Sequence, residues 1–292
     1  MNKKDLTRDR LYLTSNENLK EIFENIGINP QKVLTVGSSS DQLYNSIFYG
    51  AQSVTVADNS KCAKPFSELK TTALLNLDFQ EFQNFIYDLP KFTTYNPEMY
   101  QQIQQNLSHE TKEFWKDMFD PENRDILENM IDVDIDFEGS RFYNNENDYY
   151  KLKNILEENE FKTNIIQEDL LNFPVVLNDK YDLILLSNVD DYFMDQNNKN
   201  KIYEFFEAVY KLYKNNLNDG GVIQLTSSMN QHNKTKTNFY KNICHKYFKN
   251  GDFFTIENSG LYSTNGSTNK SFFVKKREKE NEKTNDDFLE LE

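Results

Sequence analysis

Apolar and polar positions along this chain switch repeatedly between two periods. Short, nearly continuous apolar runs read as buried strands: Val33–Val36, "SVTVAD" at 53–58, residues 160–167 within "EFKTNIIQEDLLNF", "YDLILLSN" at 181–188 and "GVIQLTSS" at 221–228. Between them, apolar residues recur at helical spacing. A helix is expected from about Gln42, with Leu43, Ile47 and Phe48 on one face, and another over "KPFSELKTTALLNL" at 64–77. A third covers "NKNKIYEFFEAVYKLYKNNL" at 198–217, and "NDGG" reads as its C-cap and turn. This β-α alternation predicts an α/β fold with a mostly parallel, doubly wound sheet and helices on both faces. After a further helix, "DFFTIENSG" and "KSFFVKK" are joined by a polar loop without a helix, so these two strands must run antiparallel.

The alternation lapses between residues 88 and 149. There 99–119 and 123–131 look helical and 132–148 irregular, which predicts a mainly helical insertion beside the sheet, either a lid or a peripheral bundle. Residues 276–292 are densely charged and read as a disordered tail. The expectation is one domain over 1–275, with residues 1–30 as an N-terminal cap segment. An aromatic share of 14% compensates for a modest apolar content of 37% in supplying a core. The net charge of −14 argues against a nucleic-acid partner, because such binding needs clustered cations that release counterions. Cys62 and Cys244 are too few for a disulfide framework, and the three histidines show no metal-ligand spacing, so no metal is expected. With no signal peptide and no transmembrane run, the chain reads as cytoplasmic. Nothing in the sequence fixes an oligomeric state.

The chemistry gathers where strands end. In an open parallel sheet, ligands bind outside the carboxyl ends of the strands at the switch point. The first strand ends in "TVGSSSDQ". Gly37 would permit a tight turn, and Ser38, Ser39 and Ser40 are small enough to let a ligand approach the backbone. Asp58 and Asn59 close the second strand, where a carboxylate would accept hydrogen bonds from ribose hydroxyls. Glu168, Asp169 and Leu170 follow the third strand, offering a polar contact and an apolar edge for an adenine ring. Ser187 and Asn188 follow the fourth and face the reacting end. A pyrophosphate would be repelled by Asp41, whereas the cationic S-adenosylmethionine would be balanced by it, with the Asp41 carboxylate holding the ligand's amino group. In the N-terminal segment, Tyr12, Thr14 and Asn16 either fold over the ligand or merely precede a capped helix.

The antiparallel finish resembles the class I methyltransferase-like fold. The series "LYLTSNENL", "KVLTVGSSSDQL", "GAQSVTVADNS", "FSELKTTALLNLDFQEF" and "YDLILLSNVDDY" resembles the bacterial BtaA-like family, named for S-adenosylmethionine:diacylglycerol aminocarboxypropyl transferase. That resemblance spans roughly residues 10–230. It implies an S-adenosylmethionine site at Gly37–Asp41, Asp58-Asn59, Glu168-Asp169 and Ser187-Asn188, without carrying over a lipid substrate. The reaction would move either a methyl or an aminocarboxypropyl group to a small-molecule or lipid-like acceptor. Asp190, Asp191 and Tyr192 are the candidate proton acceptors, unless one aspartate caps the next helix and Tyr192 only packs. A non-catalytic S-adenosylmethionine sensor or scaffold would present the same binding residues.

Overall fold

Seven strands form one sheet in a computed structural model that describes residues 10–37, 39–89, 97–132, 137–158, 162–193, 199–228, 234–249, 251–258 and 269–278. They are β1 (Lys32–Val36), β2 (Ser53–Asp58), β3 (Lys162–Gln167), β4 (Tyr181–Leu185), β5 (Leu217–Ser228), β6 (Gly251–Asn258) and β7 (Asn269–Lys276). Their spatial order is β3-β2-β1-β4-β5-β7-β6. β1 to β5 pair in parallel, and β7 runs antiparallel to both β5 and β6. The chain moves outward from β1 through β2 to β3, then returns to place β4 on the other side of β1. The switch point therefore lies between β1 and β4, where such sheets leave a crevice.

Period-two alternation sends neighbouring strand residues to opposite faces, and each face has its own core. Val33, Val54, Val56, Leu183 and Leu185 join one cluster, whereas Leu34, Ala57, Ile184 and Ile223 join the other. The helices are α1 (Leu19–Asn25), α2 (Asp41–Phe48), α3 (Ala63–Asn76), α4 (Phe79–Asp88), α5 (Pro97–Gln104), α6 (His109–Met118), α7 (Arg124–Met130), α8 (Arg141–Asn144), α9 (Glu146–Glu158), α10 (Phe173–Val176), α11 (Lys199–Asn215) and α12 (Lys234–Tyr247). On α3, Phe66, Leu69, Ala73 and Leu74 form the buried stripe. Each large member contributes about 1.5–3 kcal/mol relative to exposure. Among the described residues no helix is long and apolar enough to cross a membrane.

Two expectations are revised. "NDGG" is not a turn outside the sheet, because β5 already begins at Leu217, which pairs with Tyr181. The register shifts before Val222 pairs with Leu183, and the four polar residues are absorbed as an irregularity within the strand. Between residues 97 and 158 run α5 to α9, of which α8 and the start of α9 fall where irregular structure was expected, and they are not a detached bundle. The Trp115 indole donates to the Pro65 carbonyl at 2.9 Å, and the Tyr149 hydroxyl lies 2.9 Å from the Leu74 and Leu77 carbonyls. Trp115, Met130, Phe142 and Tyr149 share the core cluster of Phe66 and Leu69. Where the expected helical and irregular stretches meet, Ile131–Asp132 pairs in parallel with Leu11–Tyr12 and so ties the insertion to the N-terminal segment. The expected tail is described only as far as Glu278, and the rest of it lies outside the described residues.

Candidate functional site

At the carboxyl ends of β1 to β4 lies a cavity of about 430 Å³, within the size range of small-ligand sites. Asp58, Asn59, Glu168, Asp169, Leu170, Ser187, Asn188 and Tyr192 all line it. With Val36 at the end of β1, four separate segments thus meet at one opening, each delivered by the end of a parallel strand.

Asp58 is held by the turn it closes. Its Oδ2 accepts the Gly37 N–H at 3.0 Å, and its Oδ1 accepts the Ser60 N–H at 2.8 Å. The carboxylate itself lies on the cavity wall. Across the opening, Glu168 accepts from the Asn172 amide and the Asp169 N–H, both at 2.9 Å. These bonds hold its carboxyl below the usual range. Asp169 caps the short turn over Leu170–Asn172 by accepting the Leu171 N–H. That turn places the apolar edge of Leu170 beside Phe173 on the cavity wall. On the β4 side, Ser187 adopts a left-handed backbone (φ 54°). The Gln224 side chain on β5 steadies that turn by accepting the Ser187 N–H at 3.0 Å.

The loop after β1 departs from expectation. Ser38 lies outside the described residues. Ser39, Ser40 and Asp41 are fully buried and do not line the cavity. Asp41 does not face a ligand's amino group, because its carboxylate is engaged inside the protein. Lys70 Nζ sits 2.6 Å from Oδ1, the Tyr143 hydroxyl donates to the same oxygen at 2.9 Å, and the Ser15 N–H reaches Oδ2 at 2.6 Å. Lys70 also donates to the Leu13 and Ser39 carbonyls, pinning the N-terminal segment 11–17 onto the loop. Burial pulls the Lys70 ammonium down from its ordinary pKa, and the Asp41 charge opposes that pull. Gly37 serves close approach rather than a special turn. A Cβ there would lie 3.0 Å from Asp58 Cβ, 3.1 Å from Val56 Cγ1 and 3.2 Å from Ala63 Cβ.

The candidate proton acceptors also separate. Asp190 is turned inward, fully buried, and accepts a hydrogen bond from the Tyr240 hydroxyl. Asp191 contributes backbone to the turn at Val189–Phe193, and its side chain lies outside the described residues. Tyr192 does reach the cavity, where its hydroxyl lies 3.2 Å from that of Tyr12. Partial burial and the Tyr12 contact push the Tyr192 phenol up, and a phenol is already protonated at neutral pH, so it is a poor base. Residues of the N-terminal segment reach the cavity. Arg10 and Tyr12 line the cavity, and Thr14, Ser15 and Asn16 line a small recess that adjoins it at Ser187 and Asn188. The insertion borders a neighbouring groove instead, where His109, Glu113 and Phe114 meet Asp58 and Ser60.

Sequence reasoning missed Glu17, Gln224 and Lys70. Glu17 is 1% exposed and accepts from Gln224 Nε2 at 2.6 Å and from Gln42 Nε2 at 3.2 Å. Lys70 did carry a signal, since it occupies a position four residues after Phe66 in an otherwise apolar stripe.

The strand order and the antiparallel seventh strand define a class I methyltransferase-like Rossmann fold. No protein-family model matches the sequence, and no curated protein matches it. Among solved structures, the methyltransferase domain of bacterial CtHen1 is similar at 8% identity over 89% of this chain and 100% of that one, with a TM-score of 0.44. The N-methyltransferase NodS from Bradyrhizobium japonicum WM9, in complex with S-adenosyl-L-homocysteine, is similar at 11% identity over 90% of both chains, with a TM-score of 0.42. Spermidine synthase from Thermotoga maritima is similar at 10% identity over 89% of this chain and 57% of that one, with a TM-score of 0.41. Likeness at this level bears on neither substrate nor reaction.

Proposed function

We propose that this chain is an S-adenosylmethionine-dependent transferase that moves a methyl or aminocarboxypropyl group to a small-molecule or lipid-like acceptor. One observation carries the reading: a single cavity at the switch point collects a carboxylate after β2, an acidic-apolar turn after β3 and a polar turn after β4, in the order an adenosine ligand needs. Asp58 would hold the ribose hydroxyls, Glu168 to Leu170 the adenine, and Ser187 with Asn188 the sulfonium end. Arg10, the guanidinium at the cavity wall, would meet the ligand's carboxylate. The resemblance to the BtaA-like family favours aminocarboxypropyl transfer. Both transfers are displacements from a cation, so positioning supplies most of the acceleration. Incubating the protein with methyl-labelled or carboxyl-labelled S-adenosylmethionine and candidate acceptors distinguishes the two. Transfer of the carboxyl label is expected, and transfer of the methyl label alone would reverse that preference.

A second reading is favoured by the Ser187–Asn188 end itself. Asp190 faces inward and Tyr192 stays protonated, so neither supplies a base there. A non-catalytic S-adenosylmethionine-binding sensor or scaffold fits that arrangement. It predicts tight binding by calorimetry with no label transferred to any acceptor.

A further inference from the structure

Two buried carboxylates stand behind this site, and they differ in one respect. Asp41 has a cation of its own in Lys70. Glu17 is equally buried, yet among the described residues neither Lys nor Arg pairs with it. Its partners are dipoles: Gln224 from β5, Gln42 from α2, and the Ser187 hydroxyl from the turn after β4. The charged group that faces it is another acid, Asp190, itself fully buried and bonded to Tyr240 of α12. The nearest ion pair on α2, Asp41 with Lys70, is already balanced. Burial therefore raises the Glu17 pKa, its three hydrogen bonds pull the other way, and Asp190 adds to the rise. Burial without a cation favours the neutral carboxyl, and a positive charge seated nearby would favour the ionised one.

The position is suggestive because only one layer of side chains separates Glu17 from open space. Ser187 lines both the main cavity and the recess beside it. Ser15 lines that recess too, and its Oγ accepts the Glu17 N–H at 3.2 Å. The recess adjoins the cavity at Tyr12, Ser187 and Asn188, the end that the adenosine-site reading gives to the sulfonium and amino-acid portion of the ligand. The sequence assigned charge balance at that end to Asp41, which the structure shows to be occupied.

We propose that Glu17, backed by Asp190, recognises the positive charge at the amino-acid end of S-adenosylmethionine, and that the pair releases one proton to solvent as that cation seats. The inference rests on the adenosine-site reading above. Its sign follows from linkage: the cation prefers ionised Glu17, so affinity rises with pH through the range where the ligand-free carboxyl loses its proton, then levels off. A ligand without the cation shows no such dependence.

The test is calorimetry on the full chain with S-adenosylmethionine and with 5′-methylthioadenosine, which lacks both the amino-acid portion and the sulfonium. Each titration is run across a pH series in two buffers of different ionisation enthalpy. The wild-type protein is expected to release a proton with S-adenosylmethionine and none with 5′-methylthioadenosine. Glu17→Gln keeps the shape but cannot ionise, and it turns one of the two acceptor oxygens into an amide donor. It should abolish the proton release and weaken S-adenosylmethionine by about tenfold or more, leaving 5′-methylthioadenosine unchanged. Equal weakening of both ligands would reduce Glu17 to a support for Ser187 and overturn the proposal, as would proton release that survives the substitution. Absence of proton release in the wild-type protein overturns it without any variant, so a Glu17→Gln protein that fails to fold does not shelter it. If 5′-methylthioadenosine binds and S-adenosylmethionine does not, the charge-recognition idea fails while the adenosine site stands. If neither ligand binds, the adenosine-site reading falls, and this inference with it.

Discussion

Two polar regions meet at Gly37, and they are built on opposite terms. On one side, α2 and the N-terminal segment bury Asp41, Gln42, Asn45, Ser46 and Glu17 almost completely. Their bonds run inward, from Lys70 to Asp41, from Gln42 to Glu17, and from Asn45 to Ser140 at 2.8 Å. On the other side, Asp58, Asn59, Glu168 and Asp169 remain open to solvent at the cavity rim, and the three carboxylates are steadied by backbone N–H groups. Residue type does not separate the two regions, since both are rich in carboxylates. What separates them is exposure: the sealed carboxylates are engaged inside the protein, whereas those of the rim line the cavity. A buried acid with its own cation frames the site, whereas a rim acid held by backbone amides is presented to the cavity.

The largest effect should come from unbalancing the sealed side. Lys70→Met removes the cation and leaves Asp41 buried without a counter-charge, which typically costs about 3–5 kcal/mol. Urea denaturation should report a loss on that scale. Adding Asp41→Leu should restore much of it, because an apolar pair of similar volume avoids the desolvation of both ions. If the single variant were as stable as the wild-type protein, the contrast between the two regions would collapse. Next in size is the open side. Asp58→Ala should weaken S-adenosylmethionine by more than about 1.5 kcal/mol, the scale of a hydrogen bond to a charged group. Affinity unchanged by calorimetry would remove the rim's claim to the ligand. Gly37→Ala probes the seam itself. Its Cβ must displace Asp58, Val56 or Ala63, at an expected cost of about 1–3 kcal/mol in stability. A melting temperature that did not fall would show that the seam has slack.

This contrast also explains what the sequence could and could not reveal. Strands β1, β2 and β4 were legible because parallel strands buried on both faces read as apolar runs. The rim residues were legible for a related reason: a polar residue that ends such a run lies at the carboxyl edge, where ligands bind. Asp41 was misread because proximity in sequence to Gly37 says nothing about a lysine 29 positions away. Glu17 looked like part of an N-cap, and its neighbour Asn18 does cap α1 by accepting the Glu21 N–H. Its contact with Gln224 spans 207 positions and exists only once the sheet has formed. The "NDGG" turn failed for the same reason, since pairing with β4 overrode a strong local signal.

The smallest predicted effect tests where the two regions touch across the cavity mouth. Tyr12 belongs to the N-terminal segment that Lys70 pins through Leu13, and Tyr192 belongs to the turn after β4. Their hydroxyls, 3.2 Å apart, link the sealed side to the open one over 180 positions of chain. Tyr192 is 64% exposed, so water competes for this bond and its net worth lies at the lower end of about 0.5–1.5 kcal/mol. Tyr12→Phe and Tyr192→Phe each remove one hydroxyl and keep the ring. Each should therefore lower stability by a few tenths of a kcal/mol, within the range expected of exposed sites. If the pair acts as a latch, the double variant should cost no more than either single one, because the shared bond is already gone. The same variants should speed ligand dissociation in stopped-flow measurements while leaving the Asp58 contacts untouched. Additive losses in the double variant would mean that each hydroxyl bonds elsewhere, and the two regions would then meet only through Gly37.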